Sequence, residues 1–282
     1  MRKGKLTRDS GHTLHFYDQG PGAGDLAVFW MHGTPNIGLP PEPLFTHAAS
    51  LGLRWVGYDR PGYGGSSAHE GRDVASAAAD VACIADQLGI GRFAVIGHSG
   101  GGPHALACAA RLASRVVATV SVAGLAPYGV EELDWFSGMQ PSGQASLHAA
   151  LAGRAAKTAY EASHPEFDAA MFTEADWTAL SGPWKWLDSV VGPAMANGSG
   201  GLVDDDIAYV SPWGFDCSHI ASPLLLLHGD RDRIVPSSHS AWLARHCPTA
   251  QLWRDPEAGH ISVLNSASRA LDWVREQNQA QA

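Results

Sequence analysis

Five short, largely apolar runs recur along the chain, and a glycine follows each of them within a few residues. They occupy residues 26–31, 54–58, 93–96, 116–122 and 223–227. The apolar residues within a run are consecutive rather than alternating, which is typical of strands that are buried on both faces of a sheet. The runs therefore predict the central strands of a largely parallel sheet.

Helical stretches separate several of these runs. Residues 73–88 and 103–112 are rich in alanine, and a further helical segment follows His260. The order strand, helix, strand is typical of a parallel sheet that is covered by helices. The predicted fold class is therefore α/β, with a mostly parallel central sheet flanked by helices.

The segment between the fourth and fifth runs has a different composition. It contains few strand-like runs, several breaks at Gly and Pro, and a surplus of tryptophan. A stretch of about ninety residues between neighbouring strands must carry structure of its own. We therefore predict a core domain made of residues 1–127 and 219–282, with residues 128–218 inserted as a helical cap. Both ends of the insertion leave the sheet at its carboxyl edge, so the cap should fold over that edge.

A serine flanked by glycines directly follows the third run. The stretch Gly97-His98-Ser99-Gly100-Gly101 fits the pattern Gly-x-Ser-x-Gly, and an alanine-rich helix comes next. A strand that turns at once into a helix exposes the serine hydroxyl, and glycines are required because Cβ atoms would collide in so tight a turn. Free N–H groups at the helix start also suit a developing oxyanion. This context predicts that Ser99 is a nucleophile rather than an incidental loop serine.

A second glycine pattern, at residues 89–94, fits Gly-x-Gly-x-x-Ala. In dinucleotide-binding sites such a motif follows a strand and opens a helix, whereas here it precedes a strand. The sequence also contains no phosphate-binding Gly-x-x-x-x-Gly-Lys-Ser/Thr motif and no His-Glu-x-x-His zinc motif. We therefore predict an enzyme that uses neither a cofactor nor a metal.

A serine needs a base and an orienting acid to act as a nucleophile, and candidates for both lie downstream. Asp232 comes just after the fifth run, and His260 lies in the loop before the terminal helix. Both are therefore expected at the sheet edge that carries Ser99. Asp230 is a second candidate for the orienting acid, but it is also interpreted as a turn-forming residue. Asp232 is therefore the favoured candidate.

Further motifs extend over nearly the whole chain. They are His32-Gly33-Thr34-Pro35, Asp-Arg-Pro-Gly-Tyr-Gly-Gly-Ser at residues 59–66, the serine turn at 97–101, Gly229-x-x-Asp232 and Gly259-His260. Together with the order Ser, Asp, His, they make the chain resemble the α/β-hydrolase superfamily, in its capped serine-hydrolase branch of esterases and C–C hydrolases. That resemblance implies the same fold with an inserted helical cap.

The resemblance also has implications for chemistry. It implies that the backbone N–H groups of Thr34 and Gly100 form an oxyanion hole, and that a Ser-His-Asp triad cleaves an ester or related acyl compound through an acyl-enzyme. Dehalogenases and epoxide hydrolases of this fold carry an aspartate where this chain has Ser99, which argues against those two activities. Two alternatives stay open: hydrolysis of a C–C bond in a β-diketone-like substrate, and a ligand receptor on the same fold with little turnover.

Several residues have both a structural and a functional interpretation. Four cap residues are expected either to line a substrate pocket or to pack in a hydrophobic core, namely Trp135, Met139, Trp184 and Trp186. The aspartates at 204–206 are interpreted as a solvated cap edge or helix start, because three adjacent carboxylates cannot all face one metal ion. His32 is expected to brace the oxyanion loop, and His98 is expected to be a packed histidine.

Composition and charge exclude other classes of function. The 282 residues are 45% hydrophobic, which suffices for a large core, and the formal net charge of -9 argues against nucleic acid as a partner. No apolar stretch reaches the roughly 18 residues of a membrane span, and the N-terminus lacks the apolar segment of a signal peptide. The four scattered cysteines are expected to be reduced and buried. We predict a cytoplasmic protein that acts on a small, uncharged or weakly polar molecule without membrane contact, while its oligomeric state stays open.

Overall fold

The computed structural model describes residues 1–8, 11–22 and 24–281, and a mixed sheet forms its centre. Its eight strands are β1 (Arg2–Thr7), β2 (Thr13–Asp18), β3 (Leu26–Met31), β4 (Leu53–Tyr58), β5 (Phe93–His98), β6 (Val116–Val122), β7 (Leu224–Gly229) and β8 (Ala250–Asp255). Their order across the sheet is β1-β2-β4-β3-β5-β6-β7-β8. The pairs β1–β2 and β2–β4 are antiparallel, and the other five pairs are parallel. The prediction of a mostly parallel sheet is confirmed.

Ten α-helices accompany the sheet in the part of the chain that the structure describes. They are α1 (Phe45–Ser50), α2 (Ser76–Gln87), α3 (Gly101–Arg111), α4 (Pro141–Leu151), α5 (Arg154–Ala162), α6 (Glu174–Ser181), α7 (Asp188–Ala194), α8 (Gly200–Tyr209), α9 (Ser238–His246) and α10 (Ala267–Ala280). Short 3-10 helices lie at Glu42–Leu44, Ala169–Met171, Lys185–Leu187, Cys217–His219 and Ser262–Ser266.

The central strands supply side chains to two separate cores, one on each face of the sheet. On β3, Phe29 and Met31 belong to the core that also contains residues of α2, α3 and α9, whereas Val28 and Trp30 belong to the core that contains residues of α1 and α10. Every residue of β3, β4, β5, β6 and β7 is buried. Successive side chains in a strand point to opposite faces, so helices on both faces explain why these strands are apolar throughout.

The helices α4 to α8 all lie between β6 and β7, which are neighbours in the sheet. The structure thus contains the helical insertion that was predicted as part of the fold class. The exact division into residues 1–127 with 219–282 and residues 128–218 stays a prediction.

Three strands, β1, β2 and β8, and two helices, α1 and α9, were missing from the sequence-based prediction. Strands β1 and β8 are at the two edges of the sheet, where most of their side chains are partly or fully exposed, so they lack a continuous apolar run. Polar residues are buried in strand β2, next to β1, which contains Asp18, and in helix α9, which contains His239 and Ser240. Burial of polar side chains hides the apolar pattern on which such predictions depend.

The structure also bears on the membrane and on the cysteines. Over residues 1–8, 11–22 and 24–281, no helix has the length and apolarity needed to cross a bilayer. All four cysteines carry free thiols, of which those of Cys108, Cys217 and Cys247 are buried, while Cys83 is partly exposed.

Candidate active site

Ser99 lies in a tight turn between β5 and α3, at the carboxyl edge of the sheet. Its φ of 56° lies in the left-handed region, which side-chain-bearing residues rarely adopt. A Cβ on Gly97 would lie 2.2 Å from the carbonyl oxygen of Gly101, and a Cβ on Gly101 would lie 1.9 Å from that of Met31. The two glycines therefore permit the sharp turn that presents the Ser99 hydroxyl.

A chain of short hydrogen bonds joins Ser99 to a histidine and an aspartate. His260 Nε2 lies 2.8 Å from Ser99 Oγ, and His260 Nδ1 lies 2.7 Å from Asp232 Oδ2. The side chains of His260 and Asp232 are buried, so water competes little for these contacts. The structure thus brings together the three residues that the sequence selected from distant positions.

The carboxylate of Asp232 has further partners. Its Oδ1 accepts hydrogen bonds from the N–H groups of Ile234 (2.8 Å) and Val235 (2.9 Å). His228 Nε2 lies 3.3 Å from Asp232 Oδ2. Burial by itself raises the pKa of Asp232, but the neighbouring imidazoles of His260 and His228 outweigh it and hold the pKa well below its ordinary value. The carboxylate is therefore ionised.

Asp230 lies apart from this arrangement. Its side chain is about a quarter exposed, and its Oδ1 accepts a 2.7 Å hydrogen bond from Arg254 Nε. Its backbone N–H donates to the carbonyl of Asp255, on the edge strand β8. Asp230 therefore belongs to a surface ion pair, and only Asp232 reaches the imidazole of His260.

The two residues with predicted oxyanion-hole amides, Thr34 and Gly100, line the same cavity as Ser99. Tyr209 on α8 connects them: its hydroxyl donates to the Gly100 carbonyl over 2.9 Å and lies 2.7 Å from Thr34 Oγ1. A Cβ on Gly100 would come within 2.3 Å of the Tyr209 hydroxyl. Gly100 is thus the residue that allows this tyrosine to approach the turn.

A buried ionic network holds the side chain of Thr34 in place. Thr34 Oγ1 donates to Asp205 Oδ2 over 2.6 Å. Asp205 also binds Arg60 (2.6 Å) and Arg72 (2.7 Å) and accepts from the Tyr63 hydroxyl (2.9 Å). Burial raises the pKa of Asp205, but the two guanidinium groups outweigh it and keep the pKa well below its ordinary value. Both Arg60 and Tyr63 come from the motif at residues 59–66, which thereby contributes to the support of Thr34.

The interpretation of residues 204–206 as a solvated cap edge or a helix start is wrong, because they lie in the middle of α8. All three aspartates on α8 are buried, and each has a different cationic partner. Asp204 pairs with Arg154, Asp205 with two arginines, and Asp206 with Lys157 over 2.6 Å. Successive residues on a helix point about 100° apart, so three neighbours reach three different environments. The sequence alone does not show which cations lie opposite them.

Two histidines near the site are neutral and structural. His32 Nε2 accepts a 3.0 Å hydrogen bond from the N–H of Arg60, so its Nδ1 donates to the Gly33 carbonyl over 2.7 Å. His98 Nε2 donates to the backbone carbonyl of His260 over 3.1 Å. Burial lowers the pKa of His98 to about 3 and holds that of His32 well below its ordinary value. Both therefore fix loops without carrying charge.

A cavity of about 620 Å³ opens beside Ser99, between the sheet edge and the inserted helices. Its apolar lining comprises Pro35, Leu125, Leu147, Pro165, Phe167, Met171, Met195, Leu202, Ile234 and Val235. Its polar lining comprises Ser142, Ser146, Tyr160, Glu161, Glu166, Asp168, Asp206 and Tyr209, beside Thr34 and Ser99. The volume suits a small organic molecule, and four carboxylates face it.

The four predicted pocket residues are not among those that line this cavity, because they pack elsewhere. Trp135 and Met139 are buried in the core on the α3 side of the sheet, where Trp135 Nε1 donates to the Ala126 carbonyl. Trp184 is buried on the opposite face. Trp186 packs there, edge-on against another tryptophan. These tryptophans of the insertion thus serve packing, whereas the aromatic residues that face the cavity are Tyr160, Phe167 and Tyr209.

Comparisons with known proteins agree with this fold. The family model described as the alpha/beta hydrolase fold matches residues 27–267. The chain is similar to a non-heme chloroperoxidase from Streptomyces lividans, with 29% identity over 245 residues, 84% of this chain and 85% of that protein. It is also similar to a pimeloyl-[acyl-carrier protein] methyl ester esterase from Nitrosomonas europaea, with 30% identity over 211 residues, 73% of this chain and 78% of that protein.

Solved structures share the fold. An enol-lactonase from Burkholderia xenovorans superimposes with a TM-score of 0.71 at 20% identity, over 98% of this chain and 100% of that chain. An esterase from Thermogutta terrifontis gives a TM-score of 0.69 at 20% identity, over 99% of both chains. At this level of identity the likeness concerns the fold alone.

Proposed function

Because this chain belongs to the alpha/beta hydrolase fold family, we propose that it is a serine hydrolase that cleaves an ester or related acyl substrate through an acyl-enzyme. The observation that carries the proposal is the unbroken series of hydrogen bonds from Ser99 through His260 to Asp232, next to a cavity of small-molecule size. The mechanism draws only on groups of the chain itself.

In the first half-reaction, Ser99 Oγ attacks the carbonyl carbon of the substrate while His260 Nε2 takes its proton. His260 becomes an imidazolium, and the ionised carboxylate of Asp232 stabilises that charge and holds the ring in place. The proton then passes from His260 to the leaving alcohol, and the acyl group remains on Ser99. The 2.7 and 2.8 Å contacts of the imidazole support this assignment of roles.

The oxyanion that forms on the carbonyl oxygen needs donors in the cavity. We assign this role to the backbone N–H groups of Thr34 and Gly100, which flank Ser99 in the cavity lining. In the second half-reaction, water enters, His260 takes its proton, and attack on the acyl-enzyme releases the acid and restores Ser99. Similarity to a methyl ester esterase supports an ester as the substrate class.

The similarity to a non-heme chloroperoxidase and to a non-heme haloperoxidase supports halide oxidation as a second candidate function. On this chain, hydrogen peroxide would replace water: it would attack the acyl-enzyme carbonyl, its proton would return to Ser99 through His260, and a peroxyacid would leave. The peroxyacid would then transfer its outer oxygen atom to a halide ion, which gives hypohalite and the carboxylic acid. Halide oxidation should therefore require both an acyl donor and hydrogen peroxide, and it should disappear in the Ser99→Ala variant.

The remaining candidates use the same fold in other ways. A C–C hydrolase would cleave a β-diketone-like substrate with the same three residues, and a receptor would bind a ligand with little turnover. Counting turnovers per labelled serine on short p-nitrophenyl esters and on a β-diketone separates the three. Many ester turnovers per active site support the esterase proposal.

The proposal is tested most directly by Ser99→Ala. Loss of the nucleophile should reduce kcat on p-nitrophenyl esters by about 10⁴-fold or more and abolish labelling by a fluorophosphonate, with the fold intact. Ser163→Ala is a matched control, because Ser163 is exposed at the end of α5 and is not part of the cavity lining. A folded Ser99→Ala variant with activity within tenfold of the wild type would overturn the proposal.

A further inference from the structure

Asp176 on α6 closes a capping box at the start of that helix. Its Oδ2 accepts hydrogen bonds from the N–H and the hydroxyl of Thr173, each over 2.9 Å, and the Thr173 hydroxyl accepts from the Asp176 N–H in return. Such a box satisfies the free N–H groups of a helix end. It engages mainly one of the two carboxylate oxygens, so the other is available for further contacts.

The second oxygen of Asp176 binds the loop that carries His260. Oδ1 accepts from the N–H of Ile261 (2.9 Å), the N–H of Ser262 (2.8 Å) and the Ser262 hydroxyl (2.8 Å). The Ser262 hydroxyl in turn accepts from the N–H of Gly259 over 2.8 Å. Residues on both sides of His260 are therefore tied to one carboxylate from the inserted helices.

The Asp176 carboxylate is packed tightly against the loop of His260. Asp176 is fully buried, and a Cβ on Gly259 would lie 2.1 Å from its Oδ2. Burial raises the pKa of Asp176, but hydrogen bonds from Ser262, Thr173 and Ile261 outweigh it and lower the pKa. The group is therefore a carboxylate, and hydrogen bonds to an ionised acceptor are roughly twice as strong as neutral ones.

We propose that Asp176 is a positioning residue for the histidine of the triad. It fixes the backbone after His260 so that the imidazole stays within hydrogen-bond distance of both Ser99 and Asp232. The need for such a support follows from the location of His260, in a loop between β8 and the 3-10 helix Ser262–Ser266. A displacement of about 1 Å at a reacting group reduces the rate by about 100-fold.

This inference rests on the proposed function, and it differs from a role in helix capping alone. Under a capping role, loss of Thr173 and loss of Asp176 would have the same consequence, because both break the box. Under a positioning role, only Asp176 and Ser262 affect the chemistry. Glu174 provides a matched control, since it is an exposed carboxylate in the same first turn of α6.

The test compares Asp176→Ala, Asp176→Asn and Ser262→Ala with Thr173→Ala and Glu174→Ala on a p-nitrophenyl ester. We expect Asp176→Ala to lower kcat by about 10- to 100-fold with KM changed less than about threefold. Asp176→Asn keeps one amide oxygen as an acceptor and should lose less, as should Ser262→Ala. Thr173→Ala should lower Tm but keep kcat within about threefold, and Glu174→Ala should change neither.

A second readout does not depend on turnover. The proton between His260 Nδ1 and Asp232 should give a low-field ¹H NMR signal, which shifts or broadens in Asp176→Ala, Asp176→Asn and Ser262→Ala but not in Glu174→Ala. If the wild type hydrolyses no ester, the proposed function fails while this signal still tests Asp176. A folded Asp176→Ala variant with near-wild-type kcat and an unshifted signal would overturn the inference, as would an equal loss of kcat in Thr173→Ala. Should Asp176→Ala not fold, Asp176→Asn and Ser262→Ala decide the question by the same criteria.

Discussion

At the scale of single residues, Asp230 and Asp232 are two positions apart and have opposite surroundings. Asp232 is buried against His260, and Asp230 is paired with Arg254 at the surface. Asp232→Asn should lower kcat on p-nitrophenyl esters by about 10⁴-fold, because an amide can neither hold the correct imidazole tautomer nor balance the imidazolium charge. Asp230→Asn should leave kcat within about threefold of the wild type.

Asp230→Asn is the matched control for that substitution, since it makes the same chemical change in an exposed ion pair. Such pairs contribute about 1 kcal/mol or less to stability, so Tm should change little. An Asp232→Asn variant that keeps more than a tenth of the wild-type kcat, measured on folded protein, would show that Asp232 is not the orienting acid.

Some residues of the site were predictable from the sequence, and others were not. Ser99, Asp232 and His260 were found because each follows a strand or precedes a helix in a recognisable local pattern. Asp176 and Tyr209 have no such pattern, because their roles depend on contacts with loops about 85 and 109 residues away in the chain. The Thr-x-x-Asp spacing of the capping box at Thr173 is the one local signal, and it points to a helix start rather than to the site.

At the scale of secondary-structure elements, two helices of the insertion support the catalytic loops of the core. Helix α6 holds the loop of His260 through Asp176, and helix α8 holds the turns of Thr34 and Gly100 through Tyr209. The inserted helices therefore contribute to the geometry of the site as well as to its cavity. The central strands were predictable from apolar runs. The support that α6 and α8 give to these loops was not predictable, because polar contacts between elements leave no periodic pattern in the sequence.

The role assigned to α8 leads to a prediction for Tyr209→Phe. Loss of the hydroxyl removes the group that contacts both Thr34 Oγ1 and the Gly100 carbonyl, so the two proposed oxyanion donors should be held less firmly. We expect kcat to fall by about tenfold, which corresponds to about 1.4 kcal/mol of transition-state stabilisation, with KM nearly unchanged. Binding of a trifluoromethyl ketone, which mimics the tetrahedral intermediate, should weaken in parallel.

Tyr160→Phe is the control for this prediction. Tyr160 also lines the cavity, but its hydroxyl makes a 3.4 Å contact with the carbonyl of Ser142, away from the serine turn. Its substitution should affect KM at most. Equal values of kcat for Tyr209→Phe and Tyr160→Phe would contradict the prediction that Tyr209 of α8 positions the oxyanion donors.

At the scale of the whole molecule, the cavity and the chain share an excess of acidic residues. Its lining includes the carboxylates of Glu161, Glu166, Asp168 and Asp206, and the nearby cation Lys157 is shared between Glu161 and Asp206. The chain as a whole carries a formal net charge of -9. The sequence favoured an uncharged or weakly polar substrate, and these carboxylates provide a physical reason for the exclusion of anionic ones.

We therefore expect selectivity against anionic acyl groups. A p-nitrophenyl ester of a monoamide of succinic acid should be hydrolysed with a kcat/KM at least about tenfold higher than the hemisuccinate, which has similar size but carries a carboxylate, because like charges repel in a partly enclosed cavity. Raising the salt to about 0.5 M should narrow the difference by screening the more exposed carboxylates. Glu166→Gln should narrow it as well, and it leaves the buried pairs of Lys157 intact. Equal kcat/KM values for the two esters at low salt would mean that the acyl group does not enter the acidic part of the cavity.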